Sequence, residues 1–296
     1  MRTTLTTGTH PDGSWLLATR PSAPALRSLV PVYVGYDEVA ASAVRRLQVP
    51  HPDITVIINL GAPLRIGPAA HAPGAHARGA DAPSFGSFVA GLHDAAVTTE
   101  NTGPASGIEL RLTPLGAWQL LQAPLSLVTN RVQTLDEVLG PAARTLEARL
   151  RACVSTRGVD WDRRFDLLDT MLLDRLRTAR TIPRDVQWAW RALSDPSHGR
   201  SVGDVTAALG WSRRRLAATF REFVGLTPKT LSRIARFDRA MRAVRSGHAP
   251  SLGRLAAECG YADQAHLTRE FREFTGVSPA ALLRRVQPGA GGVSPD

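Results

Sequence analysis

One pattern occurs twice near the C-terminus, and it restricts that region to paired helices. Residues 201–228 carry Ser201, Val205, Gly210-Trp211-Ser212, Leu216, Phe220-Arg221, Phe223, Gly225 and Pro228. Residues 251–279 carry Ser251, Leu255, Gly260-Tyr261, Leu267, Phe271-Arg272, Phe274, Gly276 and Pro279. The offset is 50 up to the Gly-aromatic pair and 51 from Leu267 onward, so the second copy has one extra residue in its turn. Each copy predicts a helix, a tight turn and a second helix. Two such units with basic second helices form a pattern suited to gripping DNA.

The charge distribution agrees. Residues 197–296 hold 16 Lys+Arg and 8 Asp+Glu, so nearly all of the chain's net charge of +10 lies in the repeat region. A concentrated basic balance on a repeated motif is the electrostatic footprint of a nucleic-acid-binding module. Lys229 is the only lysine; this preference for Arg reads mainly as compositional bias, although Arg also brings bidentate geometry. No apolar run approaches the ~20 residues of a membrane span, and the N-terminus has no apolar signal core. The two cysteines, Cys153 and Cys259, fall in different predicted domains. That usage fits a reducing cytoplasm rather than a disulfide framework.

Helical spacing assigns faces within each unit. In the helix predicted over Arg213–Phe223, residues Leu216, Phe220 and Phe223 share a core face. Arg214, Ala218 and Arg221 fall opposite, with Arg213 and Ala217 at the N-terminal end that enters a major groove in this motif. An Arg there can donate twice to guanine, and an Ala methyl can meet a thymine methyl. In the second unit Leu267, Phe271 and Phe274 are core. Ala265, Arg269 and Arg272 point away, with Gln264, His266 and Thr268 alongside; Gln264 suits adenine, and Arg269 suits guanine or phosphate. Plainer readings stand beside these. Arg213–Arg215 also read as a solvated face, Arg221 and Arg272 as phosphate contacts or internal salt bridges, His266 as an ordinary surface histidine, and Trp211 and Tyr261 as packing. Thr227-Pro228 and Ser278-Pro279 each place a hydroxyl cap before a first-turn proline. The helix from Pro228 to about Arg245 is long enough, at roughly 27 Å, to space two recognition helices by one DNA turn.

Toward the N-terminus, residues 28–36, 44–49, 54–60, 85–90 and 107–113 read as strands, and 115–122 as a short helix. Residues 67–84 form a low-complexity Ala/Gly/Pro/His stretch expected to be a loop. Thr134 and Glu137 make a capping-box pattern opening a helix to about Cys153. A further helix is expected from about Asp160 to Arg180. Its stripe of Phe165, Leu168, Met171, Leu172 and Leu176 suits either an internal core or a dimer contact.

The repeat carries a specific resemblance. Residues 183–286, with WSRRRLAATFREFVGLTPKTLSRIARFDRA in the first unit and SLGRLAAECGYADQAHLTREFREFTGVSPAALLR in the second, resemble the AraC/XylS family of transcription regulators. The family often has Phe where Leu267 stands, and Leu fills the same core role. The resemblance implies a cytoplasmic transcription regulator that binds double-stranded promoter DNA. Activation through contact with RNA polymerase is the family's commoner mode. It further implies an N-terminal domain that binds an effector or forms a homodimer. Residues 20–180 resemble a poorly characterised version of that domain, through Arg20-Pro21-Ser22-Ala23-Pro24, Pro50-His51-Pro52-Asp53, Thr102-Gly103-Pro104 and Leu112-Thr113-Pro114-Leu115-Gly116-Ala117. The expected fold is α+β. A mostly β, barrel-like N-terminal domain with helices (1–182) precedes an all-α double helix-turn-helix domain (183–287) and a disordered tail (288–296).

Enzyme readings find little footing. His71 and His76 lie in the low-complexity stretch without a carboxylate cluster, no CxxC or metal-binding His set occurs, and no nucleophile elbow, P-loop or dinucleotide loop is present. Neither cysteine has the basic setting of a methyl acceptor. The expectation is therefore no catalytic residue, no metal and no cofactor. Arg111 and Trp118 suit an effector pocket or plain structural roles. Two competitors remain: an effector-independent DNA-binding protein whose N-terminal domain only dimerises, and a small enzyme fused to a DNA-binding domain.

Overall fold

A computed structural model describes residues 2–283 except 11–12, 70–81, 102, 157, 195–199 and 247–250. His71, His76 and the expected 288–296 tail lie outside the described residues.

The N-terminal half is built from two facing sheets. Strands β1 (Thr4–His10), β2 (Gly13–Pro21), β3 (Val32–Ala40), β4 (Val44–Gln48), β5 (Ile54–Asn59), β6 (Leu64–Pro68), β7 (Ser84–Phe85), β8 (Phe88–Ala90), β9 (Val97–Asn101) and β10 (Ala105–Leu112) precede helix α1 (Pro114–Leu121). Then follow a 3-10 turn at Leu125–Leu127, β11 (Val132–Thr134), α2 (Leu135–Leu139), α3 (Pro141–Arg151), the short pair β12 (Val154–Ser155) and β13 (Gly158–Val159), and α4 (Trp161–Arg177). One sheet has the order β1-β2-β3-β10-β5-β8-β11, the other β4-β9-β6-β7. They are two separate sheets and not a closed barrel, so the barrel-like expectation holds only loosely.

Pleat alternation gives the large sheet two different faces. Tyr33, Ile54, Ile58, Ile108, Leu110 and Leu112 are buried on the face covered by α1 and α4. Gly35 sits so close under Trp161 that a Cβ would lie 2.2 Å from its ring. The α4 stripe is internal: Phe165, Leu168 and Leu172 are buried, with Met171 and Leu176 packed at the margin. Arg20 is only 3% exposed, and both of its terminal nitrogens are paired. It donates to Asp166 at 2.7 Å and Asp169 at 2.9 Å, and lies 5.3 Å from the Phe165 ring centroid. Asp169 also accepts from the Tyr33 hydroxyl and the Ala23 amide, so the Arg20–Ala23 segment is tied to α4.

The helix expected from Thr134 to Cys153 is broken. The capping box is present, but Gly140 takes φ 62° and Pro141 starts a new helix. A left-handed glycine ends one helix, and proline, which has no N–H to donate, suits the first turn of the next.

The C-terminal helices are α5 (Arg184–Ser194), α6 (Val202–Leu209), α7 (Arg213–Phe223), α8 (Pro228–Arg245), α9 (Leu252–Glu258), α10 (Gln264–Thr275) and α11 (Pro279–Leu283). Their buried side chains join one continuous core with those of α1, α4 and the large sheet.

Candidate nucleic-acid interface and the N-terminal cavity

Local chemistry builds each helix-turn-helix unit. Ser201 and Asp204 form a reciprocal capping box at the start of α6, and Ser251 caps α9. Gly210 and Gly260 close these helices with φ 62° and 76°, a conformation that favours glycine. The second helices then start on Ser212, which accepts from the Arg215 amide at 3.1 Å, and Asp263, which accepts from the His266 amide at 2.6 Å. Each cap satisfies an otherwise unpaired amide and so sets where its helix begins. Leu216, Phe220, Phe223, Leu267, Phe271 and Phe274 are all buried, turning the opposite faces of α7 and α10 outward.

Those outer faces carry the residues singled out from sequence. Arg213, Arg214, Ala218 and Arg221 are exposed on α7, with Ala217 half-buried. Gln264, Ala265, Arg269 and Arg272 are exposed on α10, with His266 and Thr268 half-buried. His266 is engaged within the protein. Its Nδ1 accepts from the Ala262 amide at 3.4 Å, Nε2 lies 3.6 Å from Glu270, and the ring meets Tyr261 edge-on at 5.2 Å. Trp211 and Tyr261 are packing residues: Arg215 covers Trp211 at 4.4 Å, and Tyr261 is buried.

The two units are braced differently. Glu270, 3% exposed, lies among Arg236 at 3.5 Å, Arg233 at 3.6 Å and His266, and so ties α10 to the 18-residue α8. The first unit instead rests on the N-terminal half. Phe223 at the end of α7 stacks on Trp118 of α1, with ring centroids 4.7 Å apart. Gly225, at φ 94°, accepts a hydrogen bond from Thr129 Oγ1 at 2.9 Å. A side chain there would meet that oxygen at 2.4 Å. The turn holding Thr129 is itself bonded to the 91–94 segment: Asn130 N donates to Leu92 O at 2.9 Å, and Asp94 N to Asn130 Oδ1 at 3.0 Å. Trp118 thus faces the helix-turn-helix region, not a pocket.

Between the two sheets lies a cavity of about 530 Å³. Ile57, Ile66 and Phe88 form an apolar cluster on its walls. Polar lining comes from Glu38, Arg46, His51, Asp53, His93, Glu109 and Arg111. Glu38 holds Arg46 at 2.6 Å, and Glu109 holds Arg111 at 2.7 Å. Sequence reasoning named Arg111 but missed Asp53 and His51 as a site, although Pro50-His51-Pro52-Asp53 was visible as a motif. Burial pushes the Asp53 carboxyl up to about 6, and burial holds the His51 imidazole down to about 3, with Arg111 and His93 nearby. Among the described residues no group of three or more His, Cys, Asp or Glu is arranged to hold a metal ion. No described helix is long and apolar enough to cross a membrane. Both cysteines are buried and unbridged.

Asp53 gives a pH prediction with a definite sign. Its folded pKa lies above the unfolded value near 3.8, so its share of stability is full below about pH 4 and lost as pH rises through 6. Asp53→Asn is therefore expected to raise stability at pH 8, on the order of 2 kcal/mol, with the gain vanishing near pH 4. His51 titrates in parent and variant alike, so the difference in melting temperature between them isolates Asp53. An equal difference at both pH values would refute the assignment.

Residues 205–285 match the family profile described as a helix-turn-helix domain. A curated relative described as an AraC-like transcription regulator, from Streptomyces antibioticus, is 31% identical over 94 residues. The match covers 32% of this chain and 31% of the relative, so the chain spans about a third of that protein's length. Among solved structures, ToxT from Vibrio cholerae is similar at 10% identity and a TM-score of 0.45, over 82% of this chain and 97% of that one. The AraC-like transcriptional activator CuxR is similar at 14% identity and a TM-score of 0.32, over 73% and 80% of the two chains. With its two capped units and this profile match, residues 205–285 are a helix-turn-helix domain, similar in sequence to that of the AraC-like relative.

Proposed function

We propose that the protein is a sequence-specific transcription regulator whose two units read successive major grooves of promoter DNA, and whose N-terminal domain tunes that binding through a small-molecule effector. The reading divides the chain into an effector domain, 1–182, and a DNA-binding domain, 183–287. Arg213, Arg214, Ala217, Ala218 and Arg221 meet one groove, and Gln264, Ala265, Thr268 and Arg269 the next. His266 holds the turn that presents them. The observation that carries the reading is the pair of capped recognition helices with their aromatic faces buried and their Arg-bearing faces outward. Because the α7 and α10 faces differ, one monomer covers an asymmetric site.

The effector reading rests on the cavity and on its connection to α7. Gly91 and His93 line the cavity, and their segment is bonded to the Thr129 turn that caps α7 at Gly225. A ligand that shifts this segment therefore acts on the first recognition helix in particular. The test is a footprint of the full-length protein on its own upstream region at two salt concentrations. Protection of about two helical turns on one DNA face, resistant to random competitor, is expected. Salt-sensitive coating without a boundary would reduce the domain to a non-specific binder.

A further inference from the structure

The charged side chains that line the cavity are not balanced. On the inner faces of the two sheets the acidic groups are Glu38, Asp53 and Glu109, and the basic ones Arg46 and Arg111. Asp37 also touches the cavity but stands one residue out of register on β3, on the face toward α4, where Arg164 acts on it. Arg46 is held by Glu38 and Arg111 by Glu109. Arg242 of α8, which also acts on Asp53, is held by Asp238 at 3.1 Å. Asp53 is thus the carboxylate on these faces that makes no ion pair among the described residues: Glu109 holds Arg111, and Arg245 of α8, which acts on Arg111 and His51, does not line the cavity.

Of the two neighbouring imidazoles, His93 adds an acceptor, while His51 has both of its nitrogens in use. His93 Nδ1 lies 2.7 Å from the Gly91 carbonyl and must donate to it, which leaves Nε2 as an acceptor. His51 Nδ1 accepts from the Asp53 amide at 3.3 Å, and its Nε2 lies 3.3 Å from Thr55 Oγ1. Ile57, Ile66 and Phe88 offer an apolar surface. A carboxylate entering here would compete with two carboxylates for one guanidinium. An ammonium would complete the missing ion pair.

We propose that the cavity binds a cationic amphipath, a protonated amine on an apolar or aromatic body, with its nitrogen on Asp53. The proposal rests on the reading of this cavity as the effector site and names the class of molecule that it takes. The amine donates to the Asp53 carboxylate and to His93 Nε2, while the body lies against the apolar cluster. Selectivity arises because an anionic head leaves Asp53 unpaired and adds repulsion, a penalty that a pocket can impose on the wrong partner.

The test uses the full-length protein without DNA, so it can fail independently of DNA recognition. Binding at pH 8 is measured by titration calorimetry for charge-matched pairs: tryptamine against indoleacetate, and hexylamine against hexanoate. The amines are expected to bind at least about tenfold more tightly than their acids. Asp53→Asn is expected to erase that preference while the protein stays folded by thermal melt. Arg111→Gln separates the two head-group chemistries: it is expected to strengthen amine binding, whereas a carboxylate site would lose its ligand. Equal or tighter binding of the acids, loss of amine binding in Arg111→Gln, or no binding by any member of the set would each overturn the proposal.

Discussion

Arg214→Ala combined with Arg269→Ala is expected to remove most of the specific DNA affinity. Each base-reading Arg contributes about 1–3 kcal/mol at a cognate site. The two sit on separate recognition helices, so their losses add to about 2–6 kcal/mol. Both side chains are exposed on the outer faces of α7 and α10, and removing them takes nothing from the aromatic core beneath. Folding should therefore survive while binding collapses. The check is fluorescence anisotropy on the footprinted site and on random DNA across a salt series. A selective loss at the cognate site assigns base reading; equal losses on both DNAs with a shallower salt slope would assign the two Arg residues to phosphate.

Phe223→Ala is expected to be the most destabilising single change at the seam between the two halves, at about 3–5 kcal/mol for a buried Phe truncated to Ala. Phe223 is 9% exposed and stacks on Trp118. The cost therefore includes an aromatic pair across the seam as well as core burial. A double-mutant cycle with Trp118→Ala is expected to return a coupling of about 0.5–1.5 kcal/mol, measured by chemical denaturation. Additive penalties would mean that the two rings are merely neighbours. Because the first unit is the one docked on α1 and the Thr129 turn, the same variant should alter DNA affinity through α7 while leaving the Glu270 brace of α10 intact.

The parts of this molecule that were legible in sequence are those whose causes are local. The helix-turn-helix pairs follow from residues close together in the chain: a hydroxyl or carboxylate cap, an i, i+4, i+7 aromatic face and a left-handed glycine. The element bounds and the buried set of Leu216, Phe220, Phe223, Leu267, Phe271 and Phe274 match that reading. The break at Gly140-Pro141 has an equally local cause, a positive-φ glycine followed by a proline that starts a new helix. His266 was harder to place, because its role depends on Glu270 and Tyr261 closing around it.

The N-terminal half shows the opposite regime. Strands β3, β5 and β10 stood out through Val and Ile alternation. The β1–β2 hairpin, β6 and β9 did not, because their Thr, Arg and Glu residues satisfy no strong hydrophobic period. The sheet order places β10 between β3 and β5, a pairing made across long stretches of chain. Arg111 and Trp118 suited either an effector pocket or plain structural roles, and they lie on opposite sides of the large sheet: Arg111 faces the cavity, and Trp118 meets Phe223. By itself, then, the sequence determined a C-terminal pair of helix-turn-helix units, since short-range periodicity and capping suffice to build them. Only the tertiary structure decided that a cavity lies between two sheets, that one of its lining carboxylates makes no ion pair among the described residues, and that the first recognition helix is docked on the domain holding it. Those features depend on which distant strands pair and which pleat face turns inward, and no local pattern encodes either.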